Sequence, residues 1–291
     1  MKVRLLLLFL AAWLFATAPA QAQGCPPDGL PGDIVYNGEY GVFQGCTPLG
    51  WKAFHGMPAS FFPAQIPGLV LWLDASDTGA MTASGTAVSQ WKDKSGGGNH
   101  FTQSSGSKRP ATGTRTANGL NVLDFDGGDW LINTSLNSIY TGAYTMFIVV
   151  GGDNNTVDHM LIASDGSNLV GIRQNSSTAI VGYNGDGNVG AGRATVAVTE
   201  SLGALRTNAI RRDGTAFHLW SDGGAGAAGT SNALDITATD TRIGGRLFFG
   251  TQLLDGPVAE ALIYSRALTD AEMNQIGNYL AGKWGLSWTN M

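Results

Sequence analysis

Glutamate and histidine are scarce in this chain, which holds Glu39, Glu200, Glu260 and Glu272 and His55, His100, His159 and His218. That scarcity removes several chemistries at once. No two glutamates share a short strand motif that would set paired catalytic carboxylates on one face, and no His-x-x-x-His or His-Glu spacing offers a zinc site. A Gly-x-Ser-x-Gly nucleophile elbow is missing too. Charged residues make up only 13% of the sequence, and Lys and Arg never cluster beyond pairs such as Lys108-Arg109 and Arg211-Arg212. The basic footprint of a nucleic-acid binder is therefore absent, and those pairs read as solvated strand or loop positions. There are two cysteines, Cys25 and Cys46.

What is present begins with an address label. Lys2 and Arg4 precede an apolar run from Leu5 to Ala18, followed by the small-residue triplet Ala20-Gln21-Ala22. This order reads as a secretory signal peptide over residues 1–22, cleaved after Ala22. The run falls short of the roughly 20 apolar residues that a bilayer requires, so no span is expected in the mature chain. Without those residues the formal charge moves from −5 to −7, which disfavours polyanions as partners. The expected location is extracellular or periplasmic in a bacterium. In such a compartment the two cysteines are expected to pair, Cys25 with Cys46, and to stabilise a short leader by about 3 kcal/mol in the chain-entropy account. Two free thiols are the alternative.

Residues 23–57 read as this small stapled leader, a hairpin built on Ile34-Val35-Tyr36 and Val42-Phe43 with Trp51 beyond. Residues 58–66 read as a linker stiffened by proline, whose fixed φ and missing N–H keep it out of a ladder. From residue 67 to 288 short apolar runs rich in β-branched and aromatic residues alternate with Gly, Asp and Asn. Expected strands are Leu69 to Leu73, Asn121 to Phe125, Tyr144 to Val150, His159 to Ala163, Leu169 to Gln174, Ala179 to Tyr183, Ala194 to Val198, Leu205 to Arg211, Ala216 to Ser221, Arg242 to Phe248 and Val258 to Tyr264. The stretch Gly223 to Gly229 reads as a flexible hairpin tip. One helix is expected near the end. Thr269 and Glu272 form a capping box, and Leu268, Met273, Ile276 and Leu280 make an apolar stripe before Trp284. Many strands without alternating helices argue for an all-β, antiparallel two-sheet sandwich.

Specific strings then carry a resemblance. Pro67-Gly68-Leu69-Val70-Leu71-Trp72-Leu73-Asp74-Ala75-Ser76-Asp77, followed by Trp91-Lys92-Asp93-Lys94-Ser95-Gly96, is similar to the opening of bacterial laminin G-like, concanavalin A-like domains. Leu123-Asp124-Phe125-Asp126-Gly127 and the closing Gly256-Pro257-Val258-Ala259-Glu260-Ala261-Leu262-Ile263-Tyr264-Ser265-Arg266-Ala267-Leu268-Thr269 follow in the same order. The resemblance implies a jelly roll, a fold used for sugar binding, adhesion and protein contact, and in some relatives for glycoside cleavage. Fold alone does not choose among these.

The leading expectation is a non-catalytic binding or adhesion module with a carbohydrate ligand. A structural or protein-contact role at the cell surface comes second, and a divergent glycoside hydrolase third. Asp126, Asp129 and Trp130 are the candidate ligand rim, because an Asp-rich turn beside an indole offers hydroxyl acceptors and a stacking face. Calcium is the candidate ion, with Asp126 and Asp129 first, then Asp74 with Asp77 and the loop Asp153-Asn154-Asn155, since it prefers loop carboxylates and carbonyls. Asp and Asn also populate turns for conformational reasons alone. Asp124 and Asp126 share a strand face, the one carboxylate pair that periodicity offers for catalysis.

Overall fold

A computed structural model describes residues 33–37, 42–47, 50–53, 61–136, 138–154, 158–166, 169–175, 179–185, 193–198, 202–230, 238–246 and 252–291. The chain divides into two compact units, Met1–Phe61 and Phe62–Met291. The signal segment, its cleavage site and Cys25 lie outside the described residues.

The first unit is a three-stranded antiparallel sheet of Ile34–Asn37, Val42–Thr47 and Gly50–Ala53. The expected hairpin is present and gains a third strand, which contains Trp51. Cys46 is buried on the central strand, and its N–H donates to Asp33 O at 2.8 Å.

Among its described residues the second unit holds two large antiparallel sheets, a small two-stranded one of Thr116–Ala117 and Leu120–Asn121, and one α-helix. In the seven-stranded sheet the order is Leu123–Asp126, Asp255–Tyr264, Tyr144–Val150, Arg206–Asp213, Ala216–Ser221 and Ala227–Thr230, with Leu69–Asp74 also paired to Asp255–Tyr264. The nine-stranded sheet runs Arg193–Ala197, Ala179–Gly185, Leu169–Asn175, His159–Gly166, Ala238–Ile243, Leu131–Asn133, Phe101–Thr102, Ala87–Trp91 and Met81–Ser84. Side chains alternate across each strand, so every second residue faces the other sheet. Tyr144, Met146, Ile148 and Val150 thus share one core with Val170, Ile172 and Ile180 of the opposite sheet.

Tyr144–Val150 is buried at every position, which a half-solvated antiparallel strand would not show. Its outward residues lie beneath the helix Asp270–Trp284 and the tail behind it. The Phe147 and Trp288 ring centroids are 6.1 Å apart, and Thr145 Oγ1 donates to Arg266 O at 2.9 Å and accepts the Leu268 N–H at 3.0 Å. The helix starts where the sequence places it. Thr269 caps it through the Glu272 N–H, the Glu272 carboxylate accepts the Thr269 N–H in return, and Gly285 ends it in the left-handed region. Its buried stripe is Met273, Ile276, Gly277, Leu280, Ala281 and Trp284. Each large apolar side chain in that stripe contributes about 1.5–3 kcal/mol relative to exposure.

A charged clasp accompanies this packing. Glu260, fully buried on Asp255–Tyr264, accepts from Trp72 Nε1 at 2.7 Å, Tyr279 Oη at 2.9 Å, Lys283 Nζ at 2.8 Å and Trp284 Nε1 at 2.8 Å. Lys283 also reaches Asp74 Oδ1 at 2.6 Å, and Lys94 holds Asp74 Oδ2 at 2.9 Å. Burial pushes the Glu260 carboxyl up, with Lys283 pulling against it. For Asp74 burial pushes up as well, yet hydrogen bonds from Lys283 and Ser76 lead the opposing pull, and the net direction is down.

The expectation that the Arg211-Arg212 pair is solvated fails at Arg212. Arg212 is not solvated: it is buried, and Nη1 donates to Tyr140 O at 3.0 Å and Gly142 O at 3.1 Å. Trp72 is half-buried, since its strand turns it to the outer face, where Lys94 Nζ lies 4.7 Å from the ring centroid. The reading of Gly223 to Gly229 as a hairpin tip also changes, because Ala227–Thr230 forms a strand against Ala216–Ser221. Among the described residues no helix is long and apolar enough to cross a membrane.

Candidate functional site

The expected rim is a tight turn. Asp126 ends Leu123–Asp126 with an exposed side chain, and its Oδ1 accepts the Gly128 N–H at 2.8 Å. Asp129 is 4% exposed, and its Oδ2 accepts the Asp126 N–H at 3.2 Å. Burial, then the Asp126 charge, pushes the Asp129 carboxyl up to about 6. Trp130 is half-buried, with Lys108 Nζ 5.1 Å and the Arg242 guanidinium 5.9 Å from its ring centroid. The structure therefore brings the three residues into one turn, with cations placed at the indole where a sugar would stack.

As a calcium site this turn offers two side chains. Among the described residues no group of three or more His, Cys, Asp or Glu side chains is placed to hold a metal ion. The other candidate carboxylates face protein cations: Asp74 and Asp77 bind Lys94, and Asp153 forms a two-pronged pair with Arg115. Asp124, which was paired with Asp126 by periodicity, lies 3.4 Å from Arg115.

Sequence reasoning missed a groove on the outer face of the seven-stranded sheet. Arg211, His218 and Trp220 project outward from Arg206–Asp213 and Ala216–Ser221, where Arg211 and His218 are cross-strand partners. Asp270 adds its carboxylate from the first turn of the helix. Two adjoining cavities of about 360 and 470 Å³ share Arg211, His218 and Asp270 in their walls. Both volumes are in the range of small-ligand pockets.

A layered stack forms the groove's centre. The His218 and Trp220 rings lie 5.5 Å apart and 19° from parallel, and the Arg211 guanidinium sits 5.0 Å from the Trp220 centroid. Trp220 is 3% exposed, so His218 is the accessible ring of the pair. Arg211 Nη1 donates to Asp270 Oδ1 at 2.7 Å and Leu268 O at 2.9 Å. Its Nε and Nη2, like both His218 ring nitrogens, have no protein partner among the described residues. The groove can thus offer planar donors and an aromatic face to a polar ligand. One sequence signal existed, the i, i+2 spacing of His218 and Trp220 on one strand face, but Arg211 and Asp270 are 59 positions apart.

No family model and no curated protein matches the sequence. Solved structures do resemble the fold. Trypanosoma rangeli sialidase in complex with sialic acid matches with a TM-score of 0.54 and 16% identity, over 75% of this chain and 33% of that one. Domain 4 of AbnA, a GH43 extracellular arabinanase from Geobacillus stearothermophilus in complex with arabinotriose, matches with a TM-score of 0.50 and 12% identity, over 72% of this chain and 97% of that domain. The chain spans about a third of the sialidase's length. At these identities the likeness is one of fold.

Proposed function

We propose that the protein is a secreted, non-catalytic carbohydrate-binding module of the laminin G-like, concanavalin A-like jelly-roll kind, with its sugar in the Arg211–His218–Asp270 groove. The observation that carries this reading is the set of unpartnered planar donors in that groove, at Arg211 and His218, beside an accessible aromatic ring. Sugar recognition uses such groups: hydroxyls take hydrogen bonds from guanidinium and imidazole, and C–H faces lie on rings. The fold likeness to an arabinanase domain solved with arabinotriose supports the same class of ligand. The likenesses do not favour the structural or protein-contact role.

Two arguments support a binding rather than a hydrolytic role. Glycoside cleavage needs two free carboxyls about 5 to 10 Å apart across the scissile bond, whereas Asp129 is folded back onto the Asp126 N–H at 3.2 Å within one tight turn and Asp124 is paired with Arg115. Glu260, whose raised pKa would suit an acid, is sealed beneath the helix. Export follows from the leading segment, with Cys25 and Cys46 stapling the mature start. A glycan array probed with the mature protein tests the proposal, together with turnover assays on the polysaccharides that score. Saccharide binding without turnover is expected; a blank array would overturn the reading, and turnover would replace it with hydrolysis.

A further inference from the structure

Two features of the groove would ordinarily draw an anion: a guanidinium and the positive end of a 15-residue helix. Both are already matched by the chain's own carboxylates. Arg211 donates to Asp270 at 2.7 Å. The helix start carries Asp270 and Glu272 in its first turn, and Glu272 is itself paired with Arg266 at 2.6 Å. Asp213 adds a further negative charge to the lining. What stays unpartnered is hydrogen-bonding capacity on the His218 ring and on the remaining N–H groups of Arg211.

From this balance we infer that the groove selects neutral saccharides carrying vicinal hydroxyls and rejects acidic ones, with Asp270 as the specificity-determining residue. The inference rests on the carbohydrate-binding reading and sharpens it. A uronate or sialate carboxylate entering the groove meets Asp213 and Asp270, while Arg211 can greet it only by giving up its pair. A neutral diol meets no such cost, since two donors of one guanidinium edge bridge adjacent hydroxyls and the His218 ring supports the sugar face. The two joined cavities offer room for more than one sugar unit.

Calorimetric titration of the full mature chain tests this, using neutral arabino- and xylo-oligosaccharides and oligogalacturonate of matched length, at about 0.1 M and about 1 M salt. A neutral oligosaccharide is expected to bind with an affinity that changes less than about twofold between the two salts, and oligogalacturonate is expected to give no heat. Arg211→Met should weaken the neutral ligand by about tenfold or more, a loss of roughly 1.4 kcal/mol, while Lys108→Met at the distant turn should not. Asp270→Asn should gain oligogalacturonate binding that fades at high salt. Tighter binding of oligogalacturonate than of neutral sugar by the unaltered protein would overturn the selectivity while leaving carbohydrate binding intact. No binding of any saccharide on the titration panel or the array would remove both.

Discussion

Lys283 Nζ lies 2.8 Å from Glu260 Oε2, which makes the single lysine of the helix the counter-charge of a glutamate with no solvent exposure. Removing one member of such a pair strands the other in an apolar layer. Lys283→Met is expected to destabilise the second unit by about 3–5 kcal/mol, and the double change with Glu260→Gln by less than the sum of the two single changes. Urea denaturation measures both. A loss below about 1 kcal/mol for Lys283→Met would place the clasp among surface ion pairs.

Gly277 sits mid-helix, where alanine would ordinarily be favoured by about 1 kcal/mol. A Cβ at this position would overlap the indole of Trp288. Gly277→Ala is therefore expected to destabilise by about 1–3 kcal/mol through displacement of that ring. Gly282→Ala, on the same helix with open space around it, is expected to stabilise by a few tenths to about 1 kcal/mol. Thermal melts of the two variants should shift in opposite directions.

Acid should loosen the helix start. The hydrogen bond from Arg266, against a smaller opposing effect of burial, holds the Glu272 carboxyl down at about 2. A carboxyl lowered on folding adds stability that is complete above its unfolded pKa near 4.5 and fades as pH falls toward 2. Glu272→Gln should thus be less stable than the parent at pH 7 and converge with it near pH 2. A constant difference across that range would contradict the capping role.

The Asp129 carboxyl behaves in the opposite sense. Raised to about 6 chiefly by burial and then by Asp126, it favours the folded state at low pH and withdraws that support as pH rises from about 4 to about 6. Asp129→Asn should remove this decline, a difference on the order of 1 kcal/mol once solvent screening at the exposed Asp126 is allowed for. Stability curves from pH 4 to 7 are the check, and parallel curves would count against it.

Long apolar strands were legible in the sequence because their pattern is local. Tyr144–Val150 and Ala216–Ser221 appear with the expected bounds, and the helix with its expected cap. Met81–Ser84, Phe101–Thr102 and Leu131–Asn133 escaped notice because two to four residues show no period, and pairing with neighbours makes them strands. The strand expected over Arg242 to Phe248 instead occupies Ala238–Ile243, with 247 and 248 outside the described residues. Glu260 gave a signal that went unused: a lone acid inside an apolar strand implies a buried partner. The groove was not legible, since cross-strand register and the position of the helix start decide that Arg211, His218 and Asp270 meet.

The most direct measurement is a crystal structure of the mature protein soaked with a neutral oligosaccharide that it binds in solution. Density is expected across Arg211 and His218, with sugar hydroxyls on Arg211 Nε or Nη2 and the Arg211–Asp270 pair intact. A saccharide seated instead against Asp126 and Trp130, or one that breaks the Arg211–Asp270 pair to place a carboxylate on the guanidinium, would contradict the account.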